Sequence, residues 1–500
     1  MSYFSLGLYF LVMLGIGLFA YKRSTSDLSG YILGGRSVSP HVTALSAGAS
    51  DMSGWMLMGL PGTMFTLGFE AIFIAIGLTI GALVNYLFVA PRLRVYTKVA
   101  DDSLTIPEFF AKRFDSSASN IRIISAVIIV LFFTLYTSAG LVAGGRLFES
   151  AFHLNYHLGL IITLGVVICY TLLGGFLAVS MTDFVQGCIM FLALVLVPIV
   201  ALQEFSGAGD MLGYAYQSIP TFSQSMYDMT LLALLSSLAW GLGYFGQPHI
   251  IVRFMAIRSV NDIGTARNIG MTWMTVTIIG ALATGLVGVA YVNKFNLALA
   301  DPETIFIVLS TLLFHPIISG FLMAAILAAI MSTISSQLLV SASSLTEDIY
   351  RLYVGKSPSE KRTVLIGRIG VIGVGFIALL LSLDSSNSIL SLVSNAWAGF
   401  GAAFGPLVLF SLYKKNLTQK AAIAGILAGA STVLVWIYAP FFSDGSTLSN
   451  VIYEIIPGFL VSSATIWTVS HFDLSPSYAI TTMFEKTEQV IAESKSLKGN

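Results

Sequence analysis

Asp51 is an acidic residue inside an apolar stretch of the sequence, about ten residues from the start of that stretch. A carboxylate in a membrane span is costly unless it is paired, so such a residue is a functional candidate by default. Ser50 and Ser53 flank it with hydroxyls, and the adjacent glycines would let the backbone unwind so that carbonyl oxygens face a cation. The alternative is a carboxylate that only holds neighbouring helices together; function is favoured over it.

Ala329, Ser332 and Thr333 stand at positions i, i+3 and i+4 of another apolar stretch, so they share one face of a helix. Two hydroxyls and one exposed carbonyl form a set of weakly charged oxygens. Hard cations prefer oxygen ligands, and a site without a full set of carboxylates suits a monovalent ion better than calcium or magnesium. Serine and threonine are also common at helix contacts in membranes, so sodium is favoured only in combination with an interrupted second span.

Trp240, Tyr244 and Pro248 recur every four residues and form one stripe beside a glycine-rich interruption. Aromatic rings with a polar group suit a small amphipathic solute. The alternative is an aromatic belt at the membrane surface, but both rings lie well inside the span if its cytoplasmic end is Arg253. Tyr136, midway along a different span, is a similar but weaker candidate.

Arg36 and Asp183 lie at predicted cytoplasmic edges of the spans, where they could pair in an inner gate. Ordinary topogenic or solvated charges are at least as good an interpretation of both residues. The histidines show no HExxH or other metal spacing, and the phosphate-loop-like residues 355–357 lack the required first glycine, because that position is Tyr350. ATP-driven pumping therefore has no support, and the TVGYG filter of potassium channels is absent as well.

The composition is that of a membrane protein. Of 500 residues, 56% are hydrophobic and 10% are charged, against about 25% charged in soluble domains. Equal numbers of basic and acidic residues, 25 of each, argue against a nucleic-acid partner. Spans of about 20 residues predict an all-α membrane protein with about 13 transmembrane helices, at residues 4–21, 41–68, 70–91, 122–145, 156–180, 182–203, 229–252, 268–292, 316–346, 364–383, 387–413, 419–440 and 450–470.

The basic residues set the predicted orientation. With the N-terminus outside, all 25 except Arg146 and Lys294 fall on the cytoplasmic side, as the positive-inside rule requires. The C-terminus is then cytoplasmic, and the first apolar stretch is a retained helix. We expect residues 1–473 to form one transporter domain and residues 474–500 a short cytoplasmic tail, which is too small for a catalytic domain.

Two predicted spans contain helix breakers, at residues 48–62 and 241–248, and they lie five spans apart. Interruptions inside a membrane are tolerated where the freed backbone lines a cavity or is buried in protein. A pair at corresponding positions in two halves is typical of an inverted repeat with a binding site at the midplane. The spacing predicts repeats at about 41–203 and 229–413, with one extra helix before them and two after.

Five motifs carry a resemblance to a known family, the sodium/solute symporters, and most closely to its bacterial sodium/proline branch. The resemblance extends from about residue 28 to 470 and rests on YILGGRS at 31–37, TALSAGASDMSGW at 43–55, WGLGYFGQPH at 240–249, MST at 331–333 and WAGFGAAFGP at 397–406. It implies a leucine-transporter-like 5+5 inverted repeat and sodium-coupled uptake of L-proline, without an enzymatic activity or an organic cofactor. The expected location is the bacterial cytoplasmic (inner) membrane.

The resemblance also implies roles for individual residues, which largely coincide with the candidates above. The expected sodium ligands are Ala49, Met52, Ala329, Ser332 and Thr333. The residues expected to couple sodium to transport are Asp51, Ser53, Gly54, Arg36 and Asp183. The residues expected to contact the solute are Trp55, Tyr136, Trp240, Tyr244 and Pro248.

Three alternatives remain open at this point. The first is a sodium symporter of another small solute, such as pantothenate, a short carboxylate or urea. The second is a channel or a membrane-embedded sensor, which the missing filter and the missing signalling domain disfavour. The third is proton coupling through Asp51 in place of sodium.

Overall fold

The computed structural model describes residues 2–23, 28–114, 120–218, 229–354, 359–384, 388–473 and 476–496. Within these ranges the regular secondary structure is helical, and isolated β-bridges join Val38 to Ile257 and Pro440 to Thr447. The phosphate-loop-like residues 355–357 and the ends of the predicted tail, 474–475 and 497–500, lie outside the described ranges.

Helices occur at all thirteen predicted spans. Eight of the spans run through an unbroken or nearly unbroken helix: Ser2–Arg23 (first), Asn120–Phe152 (fourth), Ile263–Lys294 (eighth), Pro316–Ser343 with its π-helical extension Ser344–Tyr350 (ninth), Glu360–Leu381 (tenth), Ile389–Tyr413 (eleventh), Gln419–Tyr438 (twelfth) and Ile455–Phe472 (thirteenth). Others change helix type within the span: Pro40–Asp51, Trp55–Gly59 and Leu60–Leu67 (second), Glu70–Val84, Asn85–Val89 and Ala90–Val99 (third), and Leu231–Leu238, Ala239–Gly246 and Pro248–Ala256 (seventh).

Ten helices of the described chain are long and apolar enough to cross a membrane. The second, fifth and seventh spans do not reach that length because their helices are short or interrupted. The chain is therefore a multi-pass membrane protein, and the two interruptions predicted from glycine and proline are among the places where its helices break.

The fifth and sixth spans differ from the prediction at their boundary. A single helical segment, Tyr156–Leu202, contains both, and it bends at Gly175, where φ is 56° and ψ is −146°. A side chain there would meet the Tyr31 ring at 2.6 Å, so glycine is required both by the backbone angle and by the close packing. The turn thus comes about five residues earlier than expected, since the sequence from 176 onward is as apolar as the helix before it.

The second span lies at the centre of the helix bundle, where it contacts the sixth, seventh, eighth and ninth spans. The third span crosses the interrupted part of the seventh, and the eighth crosses the second. Glycines make these crossings close: a Cβ at Gly81 would lie 2.2 Å from the Gly241 carbonyl oxygen, and one at Gly285 would lie 2.4 Å from that of Pro61. Both interrupted spans are therefore held by a neighbouring helix at backbone distance.

Shorter helices cover the two ends of the bundle: Leu28–Leu33, Gly34–Arg36, Ile106–Arg113, Ala208–Ser218, Val260–Asp262, Pro302–Thr304, Ile305–Leu313, Arg351–Val354, Leu448–Asn450 and Tyr478–Ser496. The last of these belongs to the predicted tail. It is bound to the rest of the protein, since Arg92 pairs with Glu488, and Lys415 pairs with Glu485 at 2.5 Å.

Candidate ion and solute site

The backbone of the second span is freed at Ala49. The helix Pro40–Asp51 ends with Met52 at φ −82° and ψ 77°. The Ser53 N–H then donates to the Asp51 carbonyl oxygen at 2.9 Å instead of the carbonyl four residues back, as an α-helix would require. The Ala49 carbonyl oxygen thereby loses its helical donor and is left for other partners.

Hydroxyls of the ninth span reach this freed carbonyl. Ser332 Oγ lies 2.6 Å from the Ala49 oxygen and 3.0 Å from the Ala329 oxygen. Thr333 Oγ1 lies 3.5 Å and 3.2 Å from the same two oxygens. Four of the five predicted sodium ligands therefore converge, as two carbonyl and two hydroxyl oxygens without a charged group among them. This donor set fits a hard monovalent cation.

Met52, the fifth predicted ligand, ends the helix one turn after Gly48. Its buried side chain points to the eighth span, where its sulfur accepts from the Thr277 hydroxyl at 3.8 Å. Its role as a backbone ligand stays a prediction.

Asp51 is buried beside the ion candidates and has one bound and one unbound carboxylate oxygen. Tyr244 donates its hydroxyl to Oδ2, whereas Oδ1 has no hydrogen-bond partner among the described residues. Trp55 Nε1 and the Tyr136 hydroxyl approach the Asp51 backbone oxygen at 3.1 Å and 3.5 Å. The structure thus gathers three of the predicted solute residues at Asp51, one on its carboxylate and two on its backbone oxygen. The carboxylate forms no ion pair within the described chain.

Ser53 and Gly54 shape the interruption itself. Ser53 Oγ accepts from the Trp55 N–H at 3.5 Å. A Cβ at Gly54 would lie 2.8 Å from the Cβ of Ala143, so glycine allows the second span to lie directly on the fourth. These two predicted coupling residues act on backbone geometry in this structure.

The stripe on the seventh span divides into three environments. Tyr244 points to Asp51, Trp240 stacks on Tyr453 with ring centroids 5.3 Å apart, and Pro248 starts the helix Pro248–Ala256, where its missing N–H costs no hydrogen bond. The four-residue spacing puts them on one face only in a regular helix, and residues 239–246 form a 3₁₀ helix instead.

Trp397 of the eleventh span holds both sides of this interruption, although the sequence singled it out only as part of a motif. Its Nε1 donates to the Trp240 oxygen at 2.8 Å, and its own carbonyl accepts from Gln247 Nε2 at 3.1 Å. A Cβ at Gly243 would lie 1.9 Å from that indole nitrogen. Its ring meets Tyr244 edge-on at 5.1 Å, so Trp397 also fixes the donor to Asp51.

Arg36 and Asp183, which the sequence offered as a possible pair, do not pair with each other in the structure. Asp183 pairs with Arg253, at 3.1 Å between Oδ2 and Nη2, and also accepts from the Ser46 hydroxyl at 2.7 Å. Arg253 further donates to Ser336 of the ninth span at 2.5 Å. Arg253 was interpreted as the cytoplasmic end of a span, but it is 1% exposed and joins the second, sixth and ninth spans.

Arg36 lies outside the spans, just before the second span, and contacts the end of the seventh. It pairs with Asp102 at 2.7 Å and donates to the Met255 and Ser103 oxygens, each at 2.7 Å. Burial lowers the pKa of Arg36 to about 10, so the guanidinium stays charged at neutral pH. The β-bridge from Val38 to Ile257 runs beside it, so the bundle is closed at this end.

The end of the bundle that the predicted orientation places outside is open by comparison. Two adjoining cavities of about 490 and 500 Å³ are both lined by Trp240, Ser391 and Ser394. We call them together the outer vestibule. The cavity that touches Asp51 and Tyr244 holds only about 20 Å³, which is room for one water molecule. A solute needs the interrupted spans to move before it fits there.

Three comparisons with known proteins agree. The model of the sodium:solute symporter family matches residues 31–429. The osmoregulated proline transporter OpuE of Bacillus subtilis is 54% identical over 495 residues, covering 98% of this chain and 99% of its own. Sodium/proline symporter 2 of Staphylococcus saprophyticus is 52% identical over 497 residues, covering 98% and 97%.

The solved structures extend the likeness to the fold. A Na⁺-coupled sialic acid symporter in a substrate-bound outward-open state superposes with a TM-score of 0.77 at 19% identity, over 95% of this chain and 98% of that chain. A nucleobase-cation-symport-1 transporter superposes with a TM-score of 0.55 at 14% identity, over 91% and 98%. The predicted leucine-transporter-like, all-helical membrane fold is confirmed.

Proposed function

Because this chain belongs to the sodium:solute symporter family, we propose that it carries L-proline into the cell together with sodium. It is a transporter and not an enzyme. Relatives that are 50–54% identical over nearly the whole chain are a proline transporter and sodium/proline symporters. The observation that carries the proposal is the meeting of the freed Ala49 carbonyl with the Ser332 and Thr333 hydroxyls, because it joins the interrupted span to a rigid one through cation-binding oxygens.

The coupling ion binds between the second and ninth spans. Ala49, Ala329, Ser332 and Thr333 supply oxygens, and the Met52 carbonyl completes the set. In the described state the two hydroxyls donate to the carbonyls; with sodium present they rotate and offer lone pairs instead. Sodium thereby stabilises the conformation in which the second span lies against the ninth.

The solute binds beside Asp51, between the two interrupted spans. Tyr244 donates to the Asp51 carboxylate, and Tyr136 and Trp55 approach the Asp51 backbone oxygen. Rings with a polar group suit a small amphipathic amino acid. Trp240 lies between this chamber and the outer vestibule, and Pro248 begins the inner half of the seventh span. Asp51 influences sodium through its charge, since Oδ1 lacks a partner in the described chain.

Four further residues affect the coupling of sodium to solute transport by setting how the helices move: Ser53, Gly54, Arg36 and Asp183. Gly54 lets the break lie close against the fourth span, and Ser53 accepts a hydrogen bond from the Trp55 N–H within it. Arg36 holds the cytoplasmic ends together. Asp183 holds Arg253, which in turn ties the second span to the ninth.

Transport proceeds by alternating access. Sodium from outside orders the second span against the ninth and completes the solute chamber, the outer side closes, and the Arg36 region opens to release both. One charge crossing about 100 mV contributes about 2.3 kcal/mol, and a tenfold sodium gradient contributes about 1.4 kcal/mol. One-to-one coupling therefore sustains a proline gradient of up to roughly 500-fold.

We place the protein in the bacterial cytoplasmic membrane with its N-terminus outside and its C-terminal helix in the cytoplasm. Support comes from the basic residues, all but two of which lie on one side. We keep the domain division that the sequence predicts. Residues 1–473 form the transporter, with repeats at about 41–203 and 229–413, and residues 474–500 form the tail.

Uptake of radiolabelled L-proline into proteoliposomes tests the proposal. An inward sodium gradient should drive concentrative uptake, whereas choline in place of sodium at fixed pH, or a sodium ionophore, should abolish it. Equal uptake in choline would favour proton coupling through Asp51. Sodium-driven uptake of pantothenate, a short carboxylate or urea without proline uptake would keep the mechanism and replace the solute; passive downhill flux would indicate a channel.

A further inference from the structure

The segment between the twelfth and thirteenth spans covers part of the outer vestibule. Tyr453 donates its hydroxyl to the Ser394 oxygen at 3.0 Å and its N–H to Ser236 Oγ at 3.1 Å. Its ring lies over Trp240 at an interplanar angle of 27°. One residue of this segment therefore contacts both the seventh and the eleventh span and stacks on Trp240.

Glu454 follows Tyr453 and lines the same 500 Å³ cavity. Its residue is 3% exposed, and Oε1 has no hydrogen-bond partner among the described residues. A buried carboxylate oxygen without a donor is costly. The N-terminus of the helix Ile455–Phe472 lowers that cost through its dipole, but Glu454 makes no side-chain capping hydrogen bond there.

The other charged groups of the vestibule are satisfied differently. Arg146 pairs with Glu303 at 2.6 Å and with Asp301 at 3.1 Å. Glu303 also accepts from the N–H groups of Ile389 and Leu390, at 3.0 and 3.1 Å. Arg146, Glu303 and Asp301 are thus paired with one another, whereas Glu454 keeps one oxygen without a partner among the described residues.

From this geometry we propose that Glu454, Trp240 and Tyr453 form a receiving site for a small cation in the outer vestibule, ahead of the chamber at Asp51. The carboxylate supplies the charge, and the aromatic pair offers π-faces that attract cations. The cation is the ring ammonium of the solute or the sodium ion, which share this chemistry. The inference rests on the proposed function, because it assigns the vestibule to the same transported species.

The charge is tested with Glu454→Gln, and Asp444→Asn is the matched control because Asp444 is an exposed acid of the same segment. Initial uptake rates are measured against proline at saturating sodium, and against sodium at saturating proline. Glu454→Gln should raise one half-saturation constant about fivefold with kcat within twofold, and added salt should shrink the effect. A rise in the half-saturation constant for proline would identify the solute ammonium as the cation bound at this site. A rise in the half-saturation constant for sodium would identify sodium instead.

The rings are tested separately. Tyr453→Leu should raise the same constant about threefold, whereas Tyr453→Phe, which keeps the ring and loses the hydroxyl, should leave it unchanged. Equal losses in both variants would mean that the tether to Ser394 matters and the ring face does not, which overturns the proposal.

A readout independent of transport guards against misfolded variants. In a background with Cys169 and Cys188 replaced by serine, Ser394→Cys is modified with cationic and anionic thiosulfonate reagents. Glu454→Gln should lower the cationic-to-anionic rate ratio severalfold. An unchanged ratio together with unchanged half-saturation constants overturns the receiving site. If the wild type shows no sodium-driven proline uptake, the proposed function fails instead.

Discussion

Asp51 and Asp183 are both buried acidic residues within membrane spans, and their surroundings differ. Asp183 accepts from Ser46 and pairs with Arg253, so its charge is balanced by a neighbour. Asp51 has one tyrosine donor and one oxygen without a partner in the described chain. A paired charge stabilises helix contacts, whereas an unpaired one is retained at a cost in free energy. The difference indicates that Asp183 holds the scaffold and that Asp51 serves a ligand.

The largest effect on stability is expected for Asp183→Asn. It leaves the Arg253 guanidinium buried without its anion, which costs about 3–5 kcal/mol. The thermal midpoint of the purified protein in detergent should fall clearly below that of the wild type, and the double variant Asp183→Asn/Arg253→Gln should recover part of the loss. If Asp183→Asn alone were as stable as the wild type, Asp183 would not differ from Asp51 in its contribution to stability.

Asp51→Asn should leave the thermal midpoint unchanged and raise the sodium concentration that transport requires. At an effective dielectric constant of about 20, a carboxylate and a cation a few ångströms apart attract each other by about 3 kcal/mol. That corresponds to roughly a 100-fold rise in the sodium half-saturation constant. Sodium titrations of proline uptake measure it. A destabilised variant with normal sodium dependence would make Asp51 a scaffold residue like Asp183.

Tyr244→Phe sharpens the comparison by removing the hydrogen-bond donor to Asp51. Hydrogen bonds to charged groups contribute about 1.5–3 kcal/mol, so proline affinity should fall on the order of tenfold or more. Equilibrium binding of labelled proline at saturating sodium measures this. Tyr86→Phe is the control, because Tyr86 lines the same small cavity; equal losses in both variants would contradict a specific role for the Tyr244 hydroxyl.

The smallest effect is expected for Asp102→Asn at the inner closure. The side chain of Asp102 is 50% exposed, and half-exposed ion pairs contribute at most about 1 kcal/mol. Arg36 keeps its bonds to the Met255 and Ser103 oxygens, so kcat should change less than about fivefold, and salt should reduce the difference. Loss of all transport in this variant would give the pair a larger role than its exposure allows.

Much of the fold followed from the sequence, because hydrophobic length and basic residues constrain membrane spans strongly. Both interruptions were predicted from glycine and proline, and the structure has helix breaks at each of them. The turn at Gly175 was placed too late, since nothing polar marks it. The bend depends on one glycine that packs against Tyr31, and this contact cannot be read from the sequence because the two residues are far apart in the chain.

Within the candidate site, spacing along one helix could be read from the sequence, whereas some contacts between distant spans could not. The common face of Ala329, Ser332 and Thr333 needed only helical spacing. The pairing of Asp183 with Arg253, 70 residues apart, and the bridge made by Trp397, 157 residues from Trp240, depend on tertiary packing. The sequence places Arg36 and Asp183 near the same predicted membrane edge, but nearness to an edge does not identify the partner of either charge.

The account rests on sodium joining the second and ninth spans, and the sodium dependence of proline binding tests this most directly. Purified wild type is compared with Ser332→Ala/Thr333→Ala, and with Ser343→Ala as a control whose hydroxyl donates to Leu339 of its own helix at 2.7 Å. The double variant should need at least about 100-fold more sodium to bind proline, while the control behaves as wild type. Unchanged sodium dependence in the double variant would contradict the account.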